Sequence, residues 1–189
     1  MGKVLEALDE KLTEVLLGQP VYFVATAPSG DGGHVNVSPK GGSGTFAVLD
    51  PRTVAYLDLT GSGVETIAHL RDNGRITVMF CTFSGPPLIV RLYGRGEAVL
   101  SDDDRYGGLL ASFPDHADAP GVRSIVVVSL DRVSTSCGYG VPLMEHRADR
   151  TMLRAWAERK GPDGVEAYRA AKNGESIDGL PGLPVPTRP

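Results

Sequence analysis

Residues 75–100 read Arg-Ile-Thr-Val-Met-Phe-Cys-Thr-Phe-Ser-Gly-Pro-Pro-Leu-Ile-Val-Arg-Leu-Tyr-Gly-Arg-Gly-Glu-Ala-Val-Leu. From Arg75 to Phe83, Ile76, Val78 and Phe80 fall on one face, and Thr77, Met79 and Cys81 on the other. That period of two is the mark of a strand. Ser84-Gly85-Pro86-Pro87 is turn chemistry. Leu88–Leu100 is a second, longer strand interrupted by Gly94 and Gly96. Glycines inside a strand mark a bulge or a sharp bend, as in a barrel wall.

The same signals repeat on both sides. Val21–Ala27, His34–Ser38, Thr45–Val48 and Thr53–Leu57 are short strands separated by glycine-rich or Asp-Pro turns. A short helix runs from about Val64 to Arg71 and is broken by Asn73-Gly74. Ser101 with Asp104 three residues on opens another helix in the manner of a capping box. Arg123–Val133 is a last long strand, and its Ile125–Val128 run is apolar on both faces. Residues 3–17 carry Leu5, Leu8, Leu12, Val15 and Leu16 at helical spacing, closed by Gly18 and Pro20. Asp149–Lys160 and Asp163–Lys172 read as two helices split by Gly161-Pro162, and the tail from Gly174 to Pro189 as an extended surface segment. About six strands with one inserted short helix and helices at the ends specify a mainly β protein, a small closed or split barrel.

Composition narrows the function classes. With 189 residues the chain is one domain with an appendage. Its net charge of −4 argues against a nucleic-acid binder. Cys81 and Cys137 are too few for a disulfide framework or a four-thiolate zinc site. No run reaches the length of a membrane span, and charged residues in the first helix rule out a signal h-region, so a cytoplasmic location is expected. None of His34, His69, His116 and His146 has a His-x-His or His-x₃-His partner, so no metal site is expected. No Gly-x-Ser-x-Gly elbow is present.

Two segments stand out as anion sites. Asn36-Val37-Ser38-Pro39-Lys40-Gly41-Gly42 ends a strand in a lysine, a mobile point charge suited to a phosphate, or is a glycine-rich corner with a solvated lysine. Thr60-Gly61-Ser62-Gly63-Val64-Glu65-Thr66 opens a helix, where free N–H groups favour an anion. Ser62 and Glu65 also have capping-box spacing, which would satisfy those groups internally. Cys137, in Ser136-Cys137-Gly138-Tyr139-Gly140, is a nucleophile or a packed turn residue.

In order and spacing, these segments resemble the pyridoxamine 5′-phosphate oxidase-like family of FMN-binding split barrels, over about Val21 to Val133. The marks are the corner ending in Lys40; Val54-Ala55-Tyr56-Leu57-Asp58 followed by Gly61-Ser62; Asn73-Gly74-Arg75 before the next strand; and Gly94-x-Gly96-Glu97-Ala98. Cys137–Pro142, the Trp156 helix and Ser176-Ile177-Asp178-Gly179-Leu180-Pro181 resemble a subgroup of flavin-nucleotide-binding proteins. The resemblance implies three parts: an N-terminal helix (1–18), a split-barrel flavin-binding domain (19–135) and a C-terminal helical extension packed on the barrel (136–189).

It further implies a homodimer with FMN at its interface. Lys40, Ser62 and Thr66 would hold the phosphate. Asn36, Val37 and Ser38 would flank the ring, Tyr56, Leu57 and Asp58 would lie near the ribityl chain, and Arg91 would contribute from its own strand or from the second subunit. The family's pyridoxal phosphate-forming enzymes carry two basic residues where this chain has Gly63 and Val64, and a glutamine where it has Ile89. Their C-terminal arginine and histidine have no counterpart. The expected function is therefore an FMN-dependent oxidoreductase acting on a small molecule, with a nicotinamide donor, that does not itself make pyridoxal phosphate. Ser38, Tyr139 and Cys137 are the candidate acid–base or redox groups, and no essential one is assigned. The alternatives are a deazaflavin- or heme-binding relative, a flavin-holding module without turnover, and an interaction protein with no cofactor.

Overall fold

The computed structural model describes residues 2–116 and 118–184. In chain order the elements are β1 (Lys3–Leu5), α1 (Glu10–Leu17), β2 (Val21–Thr26), β3 (Asn36–Gly41), β4 (Phe46–Asp50), β5 (Thr53–Leu59), α2 (Glu65–Asn73), β6 (Arg75–Cys81), β7 (Ile89–Val99), α3 (Tyr106–Leu110), β8 (Val122–Ser136) and α4 (Met152–Lys172). The strands form one antiparallel sheet in the order β3-β2-β6-β7-β8-β5-β4, with β1 added to the end of β8.

The sheet curls into a split barrel. Tyr22 on β2 and Phe46 on β4 stand near opposite ends of the strand order, yet their ring centroids are 5.3 Å apart. Phe80 on β6 lies 4.9 Å from Phe46 and 5.2 Å from Tyr22. This aromatic cluster, with Val24, Tyr56, Val78, Leu92, Val126 and Val128, fills the interior. A second cluster lies on the outer face, where Ala55, Leu57 and Ile125 pack with Phe113 and α3 residues. The Ile125–Val128 run is apolar on both faces because each face meets one of these clusters.

Several sequence expectations are corrected. Residues 3–17 are not one helix. Lys3–Leu5 pair with Val133–Thr135, and Asp9 starts α1 by accepting from the Leu12 N–H at 2.7 Å. Leu8, Leu12 and Leu16 keep their helical stripe, but the partner of residues 3–5 lies about 130 residues away, out of reach of a local pattern. Among the described residues the strands number eight where about six were expected; seven match the stretches read from the sequence, and β1 is the eighth. Ser101 caps nothing: the helix begins at Tyr106, and the Asp103 carboxylate accepts from the Arg105 N–H instead. Gly161, at φ 66°, breaks α4 where the two-helix reading placed the break. The tail is not simply extended. Glu175 and Pro181 bridge across a turn, while residues 185–189 lie outside the described ones.

Register along β7–β8 slips between Tyr93 and Gly94, so Asp131 is an extra, unpaired residue. The slip brings the Gly94 Cα against the Ser129 carbonyl oxygen, and any Cβ at 94 would collide with it. Gly94→Ala is expected to lower stability by about 1–3 kcal/mol, the scale of an overpacked backbone contact, read as a shift in the urea midpoint at unchanged slope.

Candidate functional site

Two polar clusters meet where β3, β5 and the start of α2 converge. The first centres on Asp58. Alternation along β5 turns Val54, Tyr56 and Asp58 inward, so the carboxylate is fully buried. Lys40 Nζ on β3 donates to it at 2.8 Å. Arg123 Nε, at the start of β8, donates at 2.5 Å, and Ser124 Oγ at 3.3 Å. Burial alone would raise this carboxyl, but Lys40 and Arg123 outweigh that and hold it at about 2. One carboxylate between two cations leaves a surplus of one positive charge. Arg123 is buried, while Lys40 keeps 19% of its side chain open to solvent.

Arg123 also ties the carboxyl-terminal helix to this point. It donates to Gly63 O at 2.8 Å and Asn173 Oδ1 at 3.1 Å. Asn173 returns a bond to Gly61 O at 3.0 Å. Arg169 donates to Thr60 Oγ1 and Val122 O. The Thr60–Gly63 loop is thus held from α4 as well as from the barrel.

The second cluster runs along the inner face of β3. Ser38 Oγ donates to Asn36 Oδ1 at 3.0 Å. The Asn36 amide nitrogen donates to Thr26 Oγ1 and Thr66 Oγ1, both at 3.2 Å. Thr26 Oγ1 meets His69 Nδ1 at 3.0 Å. His69 is fully buried, and its Nε2 has no partner among the described residues. Burial pushes its pKa down against the pull of Asp178, Glu65 and Asp72, so the ring is neutral at pH 7. Over α2 lies the tail. Asp178 accepts from the His34 N–H at 2.8 Å and pairs with His34 Nδ1 at 2.6 Å, and Arg71 donates to Gly182 O.

The capping box is absent: Val64 is the N-cap of α2 and no side chain caps it. The Glu65 carboxylate instead folds beside Gly63, and Ser62 is exposed.

The residues expected at the site divide accordingly. Asn36, Ser38, Lys40, Asp58 and Thr66 come together. Ser62 lies on the adjoining loop. Val37 points to the opposite face and is 60% exposed. Tyr56 is part of the interior, its ring 5.9 Å from Lys40 Nζ, and Leu57 belongs to the cluster beneath α3. Arg91 stands on the outer face of β7, opposite Met79 and Ser134, and donates to Ser136 Oγ. Tyr139 and Cys137 are exposed.

Arg123, Arg169, Asn173 and His69 were not anticipated. Arg123 could have been flagged as a charge opening an otherwise apolar strand, while nothing local marks the other three. Among the described residues no group of three His, Cys, Asp or Glu side chains could hold a metal, and no helix is long and apolar enough to cross a membrane.

Comparison with known proteins shows the family and the fold. Residues 8–137 match the pyridoxamine 5′-phosphate oxidase family. The chain is 42% identical to the pyridoxamine 5′-phosphate oxidase family protein ustO of Aspergillus flavus, over 94% of this chain and 76% of that one. Two solved structures show the same fold. HupZ of Group A Streptococcus superposes with a TM-score of 0.52 at 21% identity, over 67% of this chain and 92% of its own. An FMN-binding protein of Syntrophomonas wolfei superposes at 0.50 and 14% identity, over 74% and 90%.

Asp58→Asn leaves the buried Arg123 and the partly open Lys40 without a counter-charge. It is expected to cost about 3–5 kcal/mol of stability, measured by denaturant unfolding. For His69 the folded pKa lies below the ordinary 6.5. Its contribution is therefore complete above that pH and is lost as pH falls through it, because the unfolded chain takes up the proton first. His69→Gln should flatten this loss, seen as a smaller drop in urea midpoint from neutral to mildly acidic pH.

Proposed function

The chain belongs to the pyridoxamine 5′-phosphate oxidase family, and we propose that it is a homodimeric, cytoplasmic oxidoreductase that binds FMN. The observation that carries the flavin reading is the positive surplus at Lys40, Asp58 and Arg123, next to the half-buried polar row of β3. A phosphate is the anion such a point suits. Lys40 Nζ is partly open, so it can bond a phosphate oxygen while Arg123 keeps Asp58 neutralised. Ser62, exposed on the loop that Arg123 and Asn173 hold, supplies a hydroxyl. The Syntrophomonas protein, described as FMN-binding, has the same fold and supports the same cofactor here.

In this reading the ring lies along β3 at Asn36–Ser38. Asn36 is fixed by three hydrogen bonds within the protein, so it meets the ligand in one orientation. Thr66, 4% exposed, orients Asn36 rather than touching the ligand, and Tyr56 packs in the interior beneath Lys40. Bound flavin supplies the electron or hydride chemistry, while the protein supplies position and charge. A second copy would cover the outer sheet face around Val37, Phe23 and Met79, which no helix covers among the described residues, and would bring its Arg91 to the interface. With Gly63 and Val64 in place of a basic pair, oxidation of pyridoxamine phosphate is not the reaction we assign.

A flavin-holding role without turnover is the second reading. It rests on the exposure of Tyr139 and Cys137, which leaves Ser38 as the one hydroxyl of the three candidates in the cluster.

Purified protein filtered after FMN addition should retain the two-band flavin spectrum and oxidise reduced nicotinamide. Retained flavin without turnover would favour the second reading. Lys40→Ala and Ser62→Ala should each weaken FMN binding by about 1–3 kcal/mol in a fluorescence titration. Unchanged affinity in both would remove the phosphate from this point.

A further inference from the structure

The flavin reading leaves His69 without a task. Its ring is fully buried, and Thr26 is its partner, with Oγ1 lying 3.0 Å from Nδ1. His69 follows Thr66 by one turn of α2, so the helix sets both side chains against the end of β2 and β3, where Thr26 pairs with Asn36. Ser38 comes next along β3, half-buried and bonded to Asn36. These contacts lie within one chain and on the inner side of the sheet, away from the face assigned to a second copy.

A hydroxyl has one hydrogen to give, and a primary amide carries both of its hydrogens on nitrogen and none on oxygen. The row Ser38–Asn36–Thr26–His69 therefore has two self-consistent directions. With the imidazole hydrogen on Nε2, Nδ1 accepts from Thr26. Thr26 then accepts from Asn36, the second amide hydrogen goes to Thr66, and Asn36 Oδ1 takes the Ser38 hydrogen. With the imidazole hydrogen on Nδ1, every bond reverses. Thr26 and Thr66 donate to the amide oxygen, and the amide nitrogen donates to Ser38 with one hydrogen left over. The first direction uses both amide hydrogens and so satisfies more of the row. Nε2 has no partner among the described residues in either direction and does not distinguish them.

We infer that His69 sets the polarity of the ligand-facing row: with its hydrogen on Nε2 it commits the Ser38 hydrogen to Asn36, so Ser38 meets a ligand as a hydrogen-bond acceptor. Burial keeps the ring neutral against the pull of Asp178, Glu65 and Asp72. A cationic ring would carry a hydrogen on Nδ1 as well and impose the opposite direction. The group that Ser38 selects is an N–H. This deepens the flavin reading and rests on it for the identity of the ligand. A flavin ring gains N–H on reduction, so an acceptor beside it favours the reduced form. His69 and Thr26 touch no ligand and are positioning residues, acting through Asn36 and Ser38.

Two measurements on the full chain test this. The first needs no flavin. Nitrogen-15 spectra of the histidine rings at pH 7 should show His69 neutral with its hydrogen on Nε2. Nuclear Overhauser contacts should join the Asn36 amide hydrogens to the Thr26 and Thr66 methyl groups. A ring hydrogen on Nδ1, or amide contacts to Ser38 in their place, overturns the inference. The second is the midpoint potential of bound FMN. Ser38→Ala should lower the ratio of reduced to oxidised affinity roughly five-fold, the scale of one neutral hydrogen bond. Thr26→Val removes the hydroxyl, keeps the branched shape and frees the amide to turn. It should lower the ratio in the same direction, and Thr26→Ser should restore it. In the Ser38→Ala background Thr26→Val should add nothing, because both act through Ser38, whereas a packing defect would add. An unchanged potential in both single variants, or additive effects, overturns the inference. Flavin retention is scored separately by absorbance. A chain that retains none fails the flavin reading, and the nitrogen-15 result still settles the polarity of the row.

Discussion

The structure turns on one buried carboxylate. Asp58 lies at the inner end of β5 where an apolar residue would have continued the barrel core. Removing it from water is costly, and only close counter-charges make that tolerable. Lys40 and Arg123 are those counter-charges, drawn from β3 and β8. In the strand order β3 lies at one end and β5 next to the other, so the Lys40–Asp58 bond spans the split that hydrogen-bonded strands leave open. It does with charge what Tyr22 and Phe46 do with ring contact a little deeper in the barrel.

Arg123 extends the same interaction outward. Its remaining donors go to Gly63 O and Asn173 Oδ1, so the loop before α2 and the end of α4 are fixed by the group that neutralises Asp58. The carboxyl-terminal helix is therefore more than a cover. Its Arg169 and Asn173 complete hydrogen bonds that Thr60, Gly61 and Val122 would otherwise leave to solvent. The shape of the Thr60–Gly63 loop and the docking of α4 are two views of one network.

Legibility in the sequence followed the range of the interactions. The strands from Val21 to Val133 were readable because period-two alternation, glycine turns and Asn73-Gly74 are local signals, and Gly74 does close α2 at φ 70°. The strand expected at His34–Ser38 instead runs from Asn36 through the expected corner to Gly41, and this extension is what puts Lys40 on the same face as Asn36 and Ser38. What escaped was non-local. β1 forms only because β8 runs past β5 and offers an unpaired edge. Ser62 and Glu65 had the spacing of a cap, yet Arg123 already binds Gly63 O and Val64 takes the cap position. The family resemblance put Tyr56 and Leu57 near the ribityl chain, and alternation along β5 sends one into the core and the other beneath α3. His69 reads as one more polar residue in a short helix until its contact with Thr26 is seen.

The two cations on Asp58 are not equivalent, and that difference makes the site usable. Arg123 is buried, held by three acceptors and fixed in its planar fork. Lys40 has one acceptor, a flexible stem and partial access to water. An anion arriving at the mouth can draw Lys40 toward itself without leaving Asp58 alone, because Arg123 stays. If the carboxylate had a single partner, recruiting that partner would orphan a buried charge and the binding energy would be spent against it. A fixed arginine behind a movable lysine separates the structural requirement from the binding one. The fold keeps its neutralised carboxylate, and one positive charge remains free to work at the surface.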